Sequence, residues 1–222
     1  QKNNLDEMTF SQEEIHLIRK EYGDLELKKS DLMPKPIDQF ESWFSQAMKA
    51  EVIEPNAMVL ATSEINNPKA RYVLFKGVDD EGLIFHTHYE SAKAKEIQAN
   101  NLVAGVFYWR EIHRQVRIEG FVEKSSKEIS DNYFKSRPRG GQLSAIASPQ
   151  SKVISSRKEI EDKIENLDNE YGESEINRPD TWGGYTIKPN IWEFWQGRRN
   201  RTHDRFRYDK KDGVWDIVRL AP

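Results

Sequence analysis

The segment Trp195-Gln196-Gly197-Arg198-Arg199-Asn200-Arg201-Thr202-His203-Asp204-Arg205-Phe206-Arg207 places five arginines, a histidine, an acid and two aromatics within thirteen residues. Like charges this dense repel one another unless anions compensate them, and guanidinium groups match phosphate oxygens in bidentate fashion. The chemistry open to the segment is anion recognition. Charge alone leaves a phosphorylated small molecule, a nucleic-acid backbone and a merely solvated loop on equal terms. Two further cationic groups stand elsewhere. Arg71 and Lys76 end the run Arg71-Tyr72-Val73-Leu74-Phe75-Lys76, and strand alternation predicts opposite faces for them. Tyr133-Phe134-Lys135-Ser136-Arg137-Pro138-Arg139 ends a helix in cations, which suits the negative end of the helix dipole as well as a ligand.

Other chemistries find little support. The chain has no cysteine, which excludes disulfides, thiolate nucleophiles and Cys-type zinc sites. Of five histidines, His86 and His88 share a strand face, but no third ligand follows at a recognisable spacing, so no metal site is expected. His16 and His113 read as surface residues. Neither a P-loop nor a G-x-G-x-x-G fingerprint is present, and the pairs Gly140-Gly141 and Gly183-Gly184 read as turns or close-packing points. Lys plus Arg (34) nearly balances Asp plus Glu (37), so no global field exists to hold nucleic acid or an anionic membrane. Mean hydropathy is -0.84 and no apolar run is long enough for a helical span. Gln1 to Phe10 shows neither an apolar signal core nor an Arg-rich transit pattern, which leaves targeting open; a cytoplasmic location is the expectation.

These groups must be positioned by regular elements. Ser11 with Glu14 forms a capping-box signature for a short helix ending near Tyr22, and Ile37, Phe40, Trp43, Phe44, Ala47 and Met48 recur at helical spacing to about Ala50. From Ala57 the period changes. Ala57 to Thr62, Arg71 to Val78, Leu83 to Tyr89, Leu102 to Trp109 and Arg114 to Glu123 read as strands, with Val116, Ile118 and Val122 on the core side and Gln115, Arg117 and Glu119 facing away. Helices are predicted over Ser91 to Asn100, from a Ser125/Glu128 cap to Ser136, and from a Ser156/Glu159 cap with an Ile160, Ile164, Leu167, Tyr171 stripe that should pack on the sheet. Gly184 to Ile187, Ile191 to Trp195, Arg205 to Tyr208 and Val214 to Leu220 return to strand. So many consecutive strands favour an antiparallel barrel with peripheral helices.

The ordered set Arg19-Lys20-Glu21-Tyr22, Arg71 to Lys76, Arg114-Gln115-Val116, Tyr133 to Arg139, Gln150-Ser151, Glu193 to Gly197, Arg201 to Phe206 and Arg219-Leu220-Ala221-Pro222 resembles the pyridoxine/pyridoxamine 5'-phosphate oxidase family. The resemblance implies a mainly β fold, an antiparallel, Greek-key-like FMN-binding split barrel with peripheral helices. It implies one domain over residues 1–222 with an N-terminal helical extension over about 1–50. It further implies a homodimer with FMN at the interface, touched by both chains. Arg71, Lys93, Gln150 and Ser151 would hold the FMN phosphate and ribityl chain. Tyr72, Val73, Leu74, Phe75, Lys76, His86, Thr87, Gln115, Trp195 and Arg205 would surround the flavin. Lys76, Tyr133, Arg137, Gly141, Arg201 and His203 would meet the substrate, under a lid of Arg19, Lys20, Glu21 and Tyr22. Arg201 and His203 are the implied catalytic pair, Arg201 covering the substrate and His203 orienting it or assisting deprotonation. The implied reaction oxidises pyridoxine 5'-phosphate or pyridoxamine 5'-phosphate to pyridoxal 5'-phosphate while O2 becomes H2O2, with no metal, nucleic acid or membrane involved.

Five positions depart from the family pattern. Ala92 stands where Arg usually precedes Lys93; Gly141 replaces a substrate-phosphate Ser; Ser144 and Ile146 replace Gly and Trp; Thr202 replaces Leu. One lost charge-assisted contact costs about 1.5 to 3 kcal/mol, or ten- to hundredfold in affinity. The rival expectation is a noncatalytic split-barrel protein that binds flavin or a B6 phosphate.

Overall fold

The computed structural model describes residues 11–18, 21–80 and 82–222. Its described strands are β1 (Ala57–Glu64), β2 (Asn67–Leu74), β3 (Gly77–Asp79), β4 (Gly82–His88), β5 (Leu102–Trp109), β6 (Arg114–Lys124), β7 (Trp182–Gln196), β8 (Asp204–Lys211) and β9 (Val214–Leu220). All pair antiparallel, in the order β2-β1-β5-β6-β7-β4-β3, with β8 and β9 added beyond β7. The chain closes this sheet into a barrel at Phe75 and Lys76. Phe75 N–H donates to Asn56 O and Lys76 N–H to Ile84 O, both at 2.8 Å, joining the β1 side to the β4 side. The run expected as one strand from Arg71 to Val78 is therefore two, because a straight strand could not pair with both edges.

β7 is the longest described strand and organises the rest. Its first residues pair with β4, its last with β8, and β6 runs beside nearly all of it. The two strands expected at Gly184 to Ile187 and Ile191 to Trp195 are one, carried past Pro189 by a register shift at Glu119/Gly120. Gly120 is required there, since a Cβ would lie 2.2 Å from Lys188 O and 2.6 Å from Pro189 Cα.

Helix α2 (Pro36–Lys49) lays its apolar stripe on the barrel, as its spacing predicts. Phe40 is fully buried, with ring centroids 5.0 Å from Phe107, 5.3 Å from Phe75 and 5.5 Å from Trp192. α3 (Ala92–Ala99) is capped by Ser91 Oγ and lies against β1. A separate helical layer of α4 (Lys127–Ser136), α5 (Arg139–Ala147) and α6 (Arg157–Tyr171) has its own core of Phe134, Leu143, Ala145, Ile176 and Trp182.

Several local expectations are corrected. α5 was not foreseen, because Pro138 and Gly140-Gly141 suggest a turn; Pro138 occupies the N-cap and both glycines lie in the first turn, after which Leu143, Ala145 and Ala147 are buried. The α6 stripe packs on this helical layer rather than on the sheet. Ser126, not Ser125, caps α4, while the Ser125 hydroxyl pairs with Thr186 Oγ1 at 2.8 Å. Ser156 holds the N-cap position of α6 without a side-chain bond, and Glu159 reaches Ser155 instead. The Ser11/Glu14 box forms as expected, but α1 (Gln12–Leu17) stops well short of Tyr22.

Candidate active site

Two clusters carry the chemistry. The first begins where β2, β4 and α3 meet. Lys93, in the first turn of α3, is half-buried and donates to Thr87 Oγ1 at 3.0 Å and Gln150 Oε1 at 3.2 Å. Both partners are neutral. Burial, and then the charge of Arg71, push the Lys93 pKa down, with Glu96 offsetting part of this. Arg71 lies beside it, donating to Thr62 Oγ1 and pairing with Glu96 Oε2, each at 2.5 Å. Ser151 follows Gln150 with φ of 70°.

On the other face of β4, His86 stacks on Tyr133 at 4.0 Å and on Trp182 at 5.4 Å. Lys76 Nζ stands 5.6 Å from the Tyr133 centroid and the Arg137 guanidinium 4.8 Å from that of Trp182. Neither cation has a hydrogen-bonded or ionic partner among the described residues. Burial, then Arg137, Lys76 and Arg178, push the His86 pKa down to about 4, so the ring is neutral near pH 7, and both its nitrogens are buried without a partner. His88 instead accepts from Glu90 N–H, and no metal-binding group of three ligands exists among the described residues. A Cβ on Gly141 would sit 3.4 Å from Arg137 Nε, which places the hydroxyl-less position against that guanidinium.

The second cluster lies at the far end of β7. Tyr108, Gln115, Trp195 and Arg205 are cross-strand neighbours on β5, β6, β7 and β8. The His203 ring is 4.7 Å from Trp195, and Tyr22 sets its edge against Trp195, His203 and His113 at 5.6, 5.4 and 4.9 Å. His113, expected at the surface, is half-buried under Tyr22 with Nδ1 unpartnered, while His16 is exposed as expected. Arg198 N–H donates to His203 Nδ1 at 3.0 Å. Burial and then Arg201 push the His203 pKa down, partly opposed by Asp204.

The structure also separates the five arginines. Arg198 pairs with Glu26 and Asp204, Arg199 with Asp24, Arg205 with Glu193 and Arg207 with Asp209, at 2.9 to 3.5 Å. Arg201 is exposed, has φ of 61° next to Asn200 at 54°, and makes no ion pair or hydrogen bond among the described residues. Protein acids thus answer four of the five charges that the sequence left open.

Of the other expected positions, Tyr72 and Leu74 face outward and are exposed, Val73 and Phe75 are buried in the core, and Glu21 is exposed beside Tyr22. Arg19 and Lys20 lie outside the described residues. Sequence reasoning missed Thr62, Lys69, Glu96, Trp182, Glu193 and Asp204. The spacings Lys69/Arg71 on a strand and Lys93/Glu96 on a helix were the available signals.

The two clusters do not meet within one chain. His86 pairs with Gly184, whereas Gln115 and Arg205 pair with Trp195, eleven residues further along β7. That is roughly 35 Å of strand contour. No hydrogen bond, ion pair or ring contact joins them among the described residues.

A closed antiparallel barrel with helices at its edge is the split-barrel architecture, here with cationic clusters at two ends of one strand. Residues 44–170 match the family model for pyridoxamine 5'-phosphate oxidase, and residues 182–222 match that for the pyridoxine 5'-phosphate oxidase C-terminal dimerisation region. The chain belongs to the pyridoxine/pyridoxamine 5'-phosphate oxidase family. The protein of that name from Salinibacter ruber is 50% identical over 209 residues, 92% of this chain and 97% of that one. Its counterpart from a Cyanothece species is 48% identical over 216 residues, 97% of this chain and 100% of that one. Among solved structures, PhzG from Burkholderia lata, in complex with tetrahydrophenazine-1-carboxylic acid, has a TM-score of 0.85 at 29% identity, covering 90% of this chain and 99% of that one. An FMN binding protein from Nostoc punctiforme shares the fold, with a TM-score of 0.67 at 18% identity.

Proposed function

We infer that this chain is a cytoplasmic flavin oxidase that converts pyridoxine 5'-phosphate or pyridoxamine 5'-phosphate to pyridoxal 5'-phosphate, with O2 reduced to H2O2. The observation that carries the reading, beyond family membership, is a set of cations that pair with no carboxylate among the described residues: Lys93, Lys76, Arg137 and Arg201. A half-buried ammonium whose partners among the described residues are two neutral oxygens supports a site that takes an anion. FMN fits the first cluster on this ground. Lys93, Arg71, Gln150 and Ser151 would hold its phosphate and ribityl chain, with Thr87 steadying Lys93. When bound, FMN supplies the two-electron acceptor that O2 then reoxidises.

The protein's own residues supply binding and orientation. Lys76 and Arg137, backed by the His86, Tyr133 and Trp182 stack, would grip the substrate phosphate. Arg201, exposed and unpaired, would cover the substrate ring. His203 is best read as an orienting donor. Because Nδ1 accepts the Arg198 N–H, the neutral ring carries its proton on Nε2, which can donate to the substrate's alcohol or amine. Gln115, Trp195 and Arg205 would line the flavin.

These groups can act together only if a second copy brings its far end of β7 to the first copy's Lys93 cluster. The match of residues 182–222 to the dimerisation region supports a homodimer. So does the apolar outer face of β1, β2 and β5, where Tyr72 (74% exposed) and Tyr108 (51%) border a depression of about 530 Å³. The deciding experiment incubates FMN-loaded protein in air with each B6 phosphate. Pyridoxal phosphate and peroxide in equal amounts are expected. FMN uptake without either product would support the noncatalytic rival instead.

A further inference from the structure

The cofactor phosphate cluster has an unexplained deficit and an unassigned cation. Ala92, exposed in the first turn of α3, offers no charge beside Lys93. Arg71, the other cation there, is partly cancelled by Glu96, a carboxylate only 3% exposed that accepts from Arg71 and from Thr62 at 2.5 Å. Burial raises the Glu96 pKa, but the hydrogen bonds from Thr62 and Arg71 and the adjacent Lys69 ammonium outweigh this and hold it below the ordinary carboxylate value. Glu96 is therefore an anion inside a site that must receive another.

Lys69 precedes Arg71 by two residues on β2, so both project from the same face. Its Nζ lies 3.1 Å from Glu96 Oε1, the oxygen that Arg71 does not use. The approach is off the line of a hydrogen bond, which leaves that buried oxygen without a donor and makes the contact an ion pair. A second, longer contact of Lys69 to Glu64, at 3.7 Å, involves a solvent-exposed carboxylate and is weakened by screening.

We propose that Lys69 is a cofactor-positioning residue, supplying from β2 the positive charge that Ala92 does not supply from α3. By neutralising Glu96, Lys69 lets that carboxylate clamp Arg71 through Thr62 without cancelling Arg71's charge. Lys69, Arg71 and Lys93 against Glu96 leave a net charge of two positive units. A phosphate monoester carries about -1.5 to -2 at neutral pH, so the cluster with Lys69 matches it and the cluster without Lys69 falls short by one charge. The inference rests on the reading of this cluster as the FMN phosphate site.

Its test is equilibrium titration of the apoprotein by flavin fluorescence, with FMN and with riboflavin, which lacks the phosphate. Lys69 is 41% exposed, so Lys69→Met should fold, and the melting temperature of the apo variant checks this. Lys69→Met is expected to weaken FMN about tenfold at low salt and to leave riboflavin unchanged, with the loss shrinking as salt rises. Lys69→Arg should restore FMN binding, and Ala92→Arg should restore it in the Lys69→Met background. Unchanged FMN affinity in Lys69→Met, or equal losses for FMN and riboflavin, overturns the proposal. A wild-type protein that binds riboflavin and FMN equally well would instead overturn the phosphate-site reading beneath it.

Discussion

The two ends of β7 treat positive charge in opposite ways. At the Trp195 end, arginines crowd the sequence, yet four of five are paired with Asp24, Glu26, Glu193, Asp204 or Asp209. At the Gly184 end the cations lie further apart in sequence and Arg71 pairs with Glu96, yet Lys93, Lys76 and Arg137 meet neutral oxygens or aromatic rings and pair with no carboxylate among the described residues. Density of charge in a sequence thus says little about where an anion binds. What matters is which cations the fold leaves without an acid. By that criterion the proposed phosphate sites fall at the Gly184 end, and the Trp195 end adds the unpaired Arg201, set in left-handed backbone that costs of order 1 kcal/mol or more to maintain. The same pairing weakens the nucleic-acid alternative, since a backbone-binding loop needs its arginines free.

The largest expected effect is at Arg201. Arg201→Ala should lower kcat/KM about a hundredfold or more while FMN affinity stays within twofold, because its unpaired charge is assigned to substrate. Equal loss of flavin would erase the division between the two ends. Next comes Lys93→Ala, expected to weaken FMN ten- to hundredfold by removing a charge-assisted contact, with little change for riboflavin. Fluorescence titration reads both.

How far the sequence discloses this division depends on range. Antiparallel strands and the α2 stripe follow from local period, and Arg71, Lys76 and Arg137 stand out as candidates by residue type. The fate of the basic segment does not, because its neutralising acids include Asp24 and Glu26, more than 170 residues away, and Glu193 on the neighbouring strand. α5 was hidden for a different reason. Its Gly140-Gly141 pair lowers helix propensity locally, and packing of Leu143 and Ala145 against Phe134 and Trp182 overrides it. The separation of the clusters is equally illegible, since it depends on β7 crossing Pro189 as one strand.

A third effect is a pH dependence at the Gly184 end. His86 has its pKa pushed down to about 4 in the fold, chiefly by burial, so the unfolded chain takes up the proton first as pH falls. Stability associated with the neutral ring is therefore complete above the ordinary histidine range and is lost progressively from about pH 6.5 down to about pH 4. His86→Phe keeps the stack on Tyr133 and Trp182 but cannot titrate. Urea unfolding of the apoprotein at pH 7 and pH 5 should show a smaller loss in the variant than in the wild type. An identical loss would mean that burial and the surrounding cations do not hold the His86 ring neutral in the fold.

The smallest effect sharpens the comparison from the other side. Arg199 adjoins the same loop as Arg201 and is 64% exposed, as is its partner Asp24 at 70%. An exposed pair of this kind contributes about 0 to 1 kcal/mol. Arg199→Gln should therefore shift the unfolding midpoint barely, leave FMN affinity unchanged, and leave kcat/KM within about twofold, although it removes the same formal charge as Arg201→Ala two residues away. If charge density in the loop were what mattered, the two variants would fall together. A hundredfold loss in Arg199→Gln would show that Asp24 does not satisfy Arg199 in the working enzyme, and that pairing in the free chain is no guide to which cations meet the substrate.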